Sequence, residues 1–157
     1  MIEWILGLLY RGVQPKPQPK PNPVPEPKPT PKPKPDPQPN ELDTIRARLL
    51  ELHNEARAKA GVGPLVLDDG LNEFAQSHAV WMTRYAMIHS RMGFSGFRTK
   101  GENIAMGYAT PEVATSKWMA STGHRRNILK GSFSYVGFGM DETRSGTRYW
   151  CAVFGGT

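Results

Sequence analysis

Leucine and isoleucine recur at spacings of three and four residues after position 40, a pattern that predicts an amphipathic helix. Asn40 can cap the first turn of this helix, which we expect to begin at Glu41 and to end before Gly61. The apolar positions that define it are Leu42, Ile45, Leu49, Leu52, Ala56 and Ala60.

Three further helices are indicated downstream. Residues 69–86 carry apolar side chains at helical spacing, with His78 among them. Residues 110–112 read Thr-Pro-Glu, and because proline is tolerated in the first turn they predict the start of another helix. A short helix is expected over residues 124–129.

The pattern changes near the end of the chain, where two segments rich in aromatic and β-branched residues predict strands. They run from Ser134 to Asp141 and from Thr147 to Phe154, with a turn at Gly146 between them. Both faces of the second strand are apolar, so helices should cover both sides of the sheet. We therefore predict an α/β fold, a three-layer α-β-α sandwich with a small central antiparallel sheet.

Proline dominates the segment before this domain. Thirteen of the fifteen prolines stand at every second position from Pro15 to Pro39. Each proline fixes φ, removes an amide donor and pushes the preceding residue towards extended geometry. Residues 14–39 are therefore predicted to be a rod-like linker of polyproline-II character, and residues 40–157 a single domain.

Residues 1–13 begin the chain with a short apolar stretch, Trp4 to Tyr10. A bilayer span needs roughly 20 residues, so this stretch is too short to cross one. It also lacks the basic start and small-residue cleavage site of a signal peptide, and has Glu3 instead. We expect it to dock onto a larger protein assembly or a membrane surface. A frayed tail or a degenerate export signal is the alternative.

Charge and cysteine content narrow the classes of function. The net charge is +6, which is modest, and no nucleic-acid-binding motif accompanies it, so no nucleic-acid partner is expected. Weak attraction to an anionic surface is the smaller inference. Cys151 stands alone, which excludes an intrachain disulfide, and we expect it to be an inert core thiol.

A series of short motifs follows in a fixed order. They are Leu52–Arg57, Gly61–Leu65, His89–Ser90, Gly101–Ala105, Trp118–Leu129 and Tyr135–Gly139. In that order and spacing, residues 42–156 resemble the bacterial-type branch of the CAP superfamily, the cysteine-rich secretory or SCP-like domains. The resemblance implies the α-β-α sandwich independently of the periodicity.

The resemblance also implies a cleft lined by two histidines and two glutamates. His89 matches the first histidine, Glu102 the first glutamate and His124 the second histidine. Ser121 stands where the second glutamate is expected. The cleft is thereby reduced to a His-Glu-His set, and a mechanism that needs two carboxylates is put in doubt.

Several kinds of chemistry are open to these residues. His89 and His124 with one carboxylate form a set that can bind a divalent metal such as zinc, which would activate a water molecule. Alternatively Glu102 acts as a general base and Ser121 holds a hydrogen bond. A purely structural reading has Glu102 tying a loop and His124 satisfying a helix start. Arg125, in a small basic cluster, is a candidate contact for an anionic ligand.

Three functions follow as hypotheses. The first is a tethered binding module, displayed on a bacterial surface, that recognises an envelope component such as a polysaccharide, peptidoglycan or lipid. The second is a metal-dependent, peptidase-like hydrolase that uses His89, Glu102 and His124. The third is a structural part of a larger particle such as a phage virion. The expected location is extracellular, on a bacterial cell surface or associated with a virion.

Overall fold

A computed structural model describes residues 39–157 and the side chains from residue 41 onward. The predicted segments 1–13 and 14–39, apart from Pro39, lie outside the described residues. Within this range the chain forms four helices and four strands. They are α1 (Pro39–Lys59), β1 (Val66–Leu67), α2 (Asp69–Arg84), β2 (Thr99–Met106), α3 (Pro111–Ala120), α4 (Thr122–Ile128), β3 (Tyr135–Glu142) and β4 (Arg148–Gly156).

Local sequence explains where the helices begin. α1 starts at Pro39, two residues before the predicted start, because the fixed φ of proline suits a first helical turn; Asn40 therefore lies inside that turn. Asp68 caps α2 by accepting from the Leu71 amide at 2.9 Å. Thr110 caps α3, as its sequence predicts. No helix within the described range is both long enough and apolar enough to cross a bilayer.

The four strands form one sheet in the order β1-β3-β4-β2. β4 pairs antiparallel with β3 on one side and with β2 on the other. β1 pairs parallel with β3 through two residues, Val66 opposite Tyr135 and Leu67 opposite Val136. The sheet is therefore mixed, which corrects the expectation of an antiparallel sheet. A two-residue strand is too short to leave an alternating pattern in the sequence.

Helices cover both faces of the sheet and confirm the three-layer sandwich. On one face Cys151 and Val153 pack with the apolar side of α2. On the other face Trp150, Ala152 and Phe154 pack with residues of α1, α3 and α4. Cys151 is fully buried, and burial raises the pKa of its thiol, as expected of a core cysteine.

Two glycines let α2 lie directly against β3. A methyl group added at Gly137 would stand 2.1 Å from the Leu71 backbone, and one added at Gly139 would stand 2.3 Å from the Ala75 backbone. Amide side chains of α2 exploit this closeness, since Asn72 accepts from the Phe138 amide at 3.0 Å. β3 extends beyond its pairing with the two-residue β1. In that extension its backbone bonds to a side chain of α2 instead of to another strand.

Candidate functional site

β2 is an edge strand, and side chains of α3 and α4 occupy its outer edge. The indole Nε1 of Trp118 donates to the carbonyl of Ile104 at 3.1 Å. Asn127 Nδ2 donates to the carbonyl of Glu102 at 3.1 Å, and Asn103 Nδ2 donates to the carbonyl of His124 at 3.0 Å. The first two bonds satisfy carbonyls at the strand edge, and the three together fix α3 and α4, with His124, beside β2.

The carboxylate of Glu102 holds the segment that follows α2 in place by hydrogen bonds. Its side chain is only 2% exposed, and Oε1 lies 2.8 Å from Nδ1 of His89. The same oxygen accepts from the Ser90 amide at 2.8 Å. A carboxylate only accepts hydrogen bonds, so His89 donates from Nδ1 and its other ring nitrogen stays available to a ligand. The structure thus brings His89 and Glu102 together, with the His89 side chain 60% exposed.

The second oxygen of Glu102 is also buried, and it has no hydrogen-bond partner among the described residues. Nε2 of His78, on α2, lies 3.9 Å from this oxygen. That nitrogen lies 2.9 Å from the carbonyl of Ile88, so His78 is hydrogen-bonded to the segment that follows α2. The sequence did not predict that His78 lies beside Glu102. The feature that could have indicated it is a polar residue on the sheet-facing side of α2.

His124 and Ser121 line a cavity of about 210 Å³ at the outer edge of β2. Burial lowers the pKa of His124, and the charge of His89 lowers it further, so the two rings are close enough to interact electrostatically. Ser121 is the residue at which α3 ends and α4 begins. Arg125 is exposed on α4 and is not among the residues that line the cavity.

The remaining walls of the cavity are mainly apolar, with one cationic group that the sequence did not single out. Lys117, one position before Trp118, contributes this ammonium group. Its place in α3 gives no sign of the role, since a lysine on a helix is usually a solvated residue. The apolar walls come from Met87, Ile104, Ala105, Met106, Tyr108 and Trp118.

A metal site is not assembled within residues 39–157. No group of three or more His, Cys, Asp or Glu residues there is arranged to hold a metal ion. Oε1 of Glu102 is bonded to His89 and to the Ser90 amide, and its other oxygen is buried on the side of His78, so Glu102 does not complete such a group with His89 and His124. We therefore assign no zinc to these residues.

Comparison with known proteins fits this geometry. The sequence profile of the cysteine-rich secretory protein family, CAP, matches residues 50–154. This chain belongs to the CAP family. Its CAP domain is 36% identical over 112 residues to the uncharacterized protein YkwD of Bacillus subtilis. That match covers 62% of this chain but only 43% of the relative, so the chain spans less than half of that protein's length.

Solved structures share the fold. An extracellular SCP-domain protein from Bacillus anthracis superposes with a TM-score of 0.65 and 21% identity, covering 79% of this chain and 45% of the other. An outer surface protein from Borrelia burgdorferi superposes with a TM-score of 0.62 and 19% identity, covering 69% of this chain and 89% of the other. At such identities the likeness establishes the CAP fold and nothing more.

Proposed function

We propose that this CAP domain is an extracellular binding module that recognises a component of a cell envelope. An extracellular location is supported by two structural relatives, one described as extracellular and the other as an outer surface protein. The observation that carries the binding role is the cavity where His124, Ser121 and Lys117 meet at the edge of β2.

The size and lining of the cavity suggest what part of a ligand enters it. Its volume of about 210 Å³ is below the range of roughly 300–1,000 Å³ usual for sites that enclose a whole small molecule. It is suited to one end or branch of a larger molecule, whose remainder stays outside. The apolar walls would hold the body of that branch, while the Ser121 hydroxyl and the Lys117 ammonium orient its polar atoms.

Retention of the full-length protein on purified wall and membrane fractions of its host tests this function. Lys117→Gln and Ser121→Val should each reduce retention several-fold, because each removes one hydrogen-bonding group from the cavity. Lys59→Gln and Ser116→Val make the same changes at exposed positions outside it and should bind like the unmodified protein. No retention on any fraction, or equal retention of all four variants, would refute the proposal.

We further propose, from the sequence, that residues 1–13 attach the protein to a larger assembly such as a virion, or to a membrane surface, with residues 14–39 as the spacer. The apolar side chains of Leu8 and Leu9 would lose free energy if left in water. Leu8→Asp together with Leu9→Asp should release the protein from purified particles or envelopes. Gln18→Asp, within the spacer, should leave it attached.

A further inference from the structure

Seven large apolar side chains are well exposed within residues 41–157, and five of them gather at the end of α2 and its surroundings. Most of them come from the last turn of α2 and the residues just after it. Tyr85 is 71% exposed and Ile88 56%. We call these five residues the aromatic patch; its members are Trp81, Tyr85, Met87, Ile88 and Met106. Exposed apolar patches on a folded domain mark interaction sites more often than scattered single residues do.

Contacts and chain adjacency place the members of the aromatic patch near one another. The rings of Trp81 and Tyr85 lie 5.1 Å apart, and Trp81 stacks on His78 at 5.8 Å. His78 in turn bonds to the carbonyl of Ile88. Met87 and Met106 both line the cavity that contains His124. The aromatic patch therefore borders the proposed binding cavity.

The segment that carries most of the aromatic patch has charges of one sign. Residues 74–101 contain four basic residues and no Asp or Glu. Two of the four, Arg84 and Arg91, are exposed and lie within three residues of a patch member. From other elements, Asp141 accepts from Thr83 and Glu102 is buried against His89. The exposed charges of the segment that carries most of the aromatic patch are thus positive, which favours an anionic partner.

We propose that the aromatic patch is the face by which this domain settles on an anionic lipid bilayer. This inference rests on the proposed function and names the envelope component as the membrane surface. Tryptophan and tyrosine prefer the headgroup region of a bilayer, where the ring is buried and its polar atom stays wet. Exposed isoleucine and methionine add apolar area without hydrogen bonds, which suits acyl chains better than sugars. Flanking arginines attract acidic headgroups.

The experiment measures co-sedimentation of the full-length protein with vesicles of phosphatidylcholine alone, or of three parts phosphatidylcholine to one part phosphatidylglycerol. Leu8→Asp and Leu9→Asp are present throughout, so that residues 1–13 do not dominate binding. Ile88→Ser should weaken binding to the mixed vesicles about tenfold, because it removes most of one apolar side chain. The matched control is Val66→Ser, at an equally exposed position (58%) outside the aromatic patch, which should bind unchanged.

The charge component is tested by Arg84→Gln and Arg91→Gln, each expected to weaken binding to the mixed vesicles roughly fivefold. Arg144→Gln, in the exposed turn between β3 and β4, is the control. Depth is read from tryptophan fluorescence in a Trp4→Phe background. Trp118 and Trp150 are buried, so brominated acyl chains should quench Trp81 selectively.

Each result decides the matter. Binding that is equal for Ile88→Ser and Val66→Ser, or an absence of Trp81 quenching, overturns the bilayer inference. If the protein is retained on wall fractions but not on vesicles, the aromatic patch proposal fails and the envelope-binding function stands. If it is retained on neither, both fail. Equal binding to neutral and mixed vesicles would remove the electrostatic part of the proposal.

Discussion

Arg57 Nη1 donates to the carbonyl of Ile128 at 2.8 Å, and this bond joins the end of α1 to the end of α4, the helix that carries His124. The same guanidinium donates to three more carbonyls, those of Gly63, Lys130 and Phe133, at 2.6–3.1 Å. Arg57 is buried, and burial lowers its pKa from the ordinary value. A charged side chain surrounded by carbonyl oxygens thus holds α1, α4 and the start of β3 together.

Replacing Arg57 by lysine should destabilise the domain by about 3 kcal/mol or more. Lysine keeps the charge but reaches fewer of the four carbonyls, and the bonds to Ile128 and Phe133 are buried, where an oxygen left without a donor is costly. Arg144→Lys, in an exposed turn, should change the free energy of unfolding by no more than about 0.5 kcal/mol. Urea unfolding of both variants measures the difference. Similar midpoints for the two would contradict the role given to Arg57.

The sequence predicted the elements that are marked by residues within or next to them. Thr110 and Pro111 mark a helix start because one caps and the other suits a first turn. The alternation around Cys151 predicted helices on both faces of the sheet, since neither side of β4 could be left in water. In each case the information lies within a few residues of the feature it predicts.

The sequence did not predict contacts that depend on how separate elements pack together. β1 has two residues, and its parallel pairing with β3 depends on a partner 69 positions away, Tyr135 opposite Val66. The approach of His78 to Glu102 likewise depends on how α2 is aligned along the sheet, which no local pattern encodes. His89 and Glu102 were found because a family motif marks them, and Lys117 was missed because none does.

The unfolding free energy should fall in acid because of His53. This ring is fully buried between Trp118, Phe138 and Phe154, and burial lowers its pKa to about 4 from an ordinary value of 6.5. Between those values the unfolded chain binds a proton that the folded protein lacks. Stability is therefore unaffected above about pH 6.5 and falls as the pH drops towards 4, by about 3 kcal/mol in full.

Replacing His53 by methionine separates this effect from other titrations. Methionine fills a similar volume and does not ionise, so the variant should lose less stability between pH 6.5 and pH 4 than the unmodified protein. Urea unfolding at several pH values gives the two curves. The assignment to His53 is wrong if the curves run parallel.

NMR titration of the imidazole protons tests whether His89 and His124 face the same cleft. Burial, and then the charge of His89, lower the pKa of His124 below its ordinary value of 6.5. In a His89→Gln variant the His124 midpoint should rise, since the second cause is removed, but it should stay below the ordinary value because the first persists. An unchanged midpoint would show that the two rings do not interact.

Because α2 lies so close to β3, replacing Gly139 by alanine should destabilise the domain, whereas the same change at the uncrowded Gly123 should stabilise it. At Gly139 the new methyl group would stand 2.3 Å from the Ala75 backbone, which no side-chain rotation can relieve. The helix must move away from the sheet, and its apolar side, including Ala75 and Ala79, would lose contact with Cys151 and Val153. We expect a loss of about 3 kcal/mol or more in the free energy of unfolding.

Gly123 is the matched control, because it lies in α4 and a methyl group there would meet nothing within 4 Å. Alanine at that position restricts the unfolded chain and favours the helix, so Gly123→Ala should stabilise the domain by about 0.5–1 kcal/mol. Thermal unfolding of the two variants side by side gives both signs in one measurement. If Gly139→Ala leaves the stability unchanged, α2 does not rest on the β3 backbone. The position of His78 beside Glu102 would then be contradicted as well.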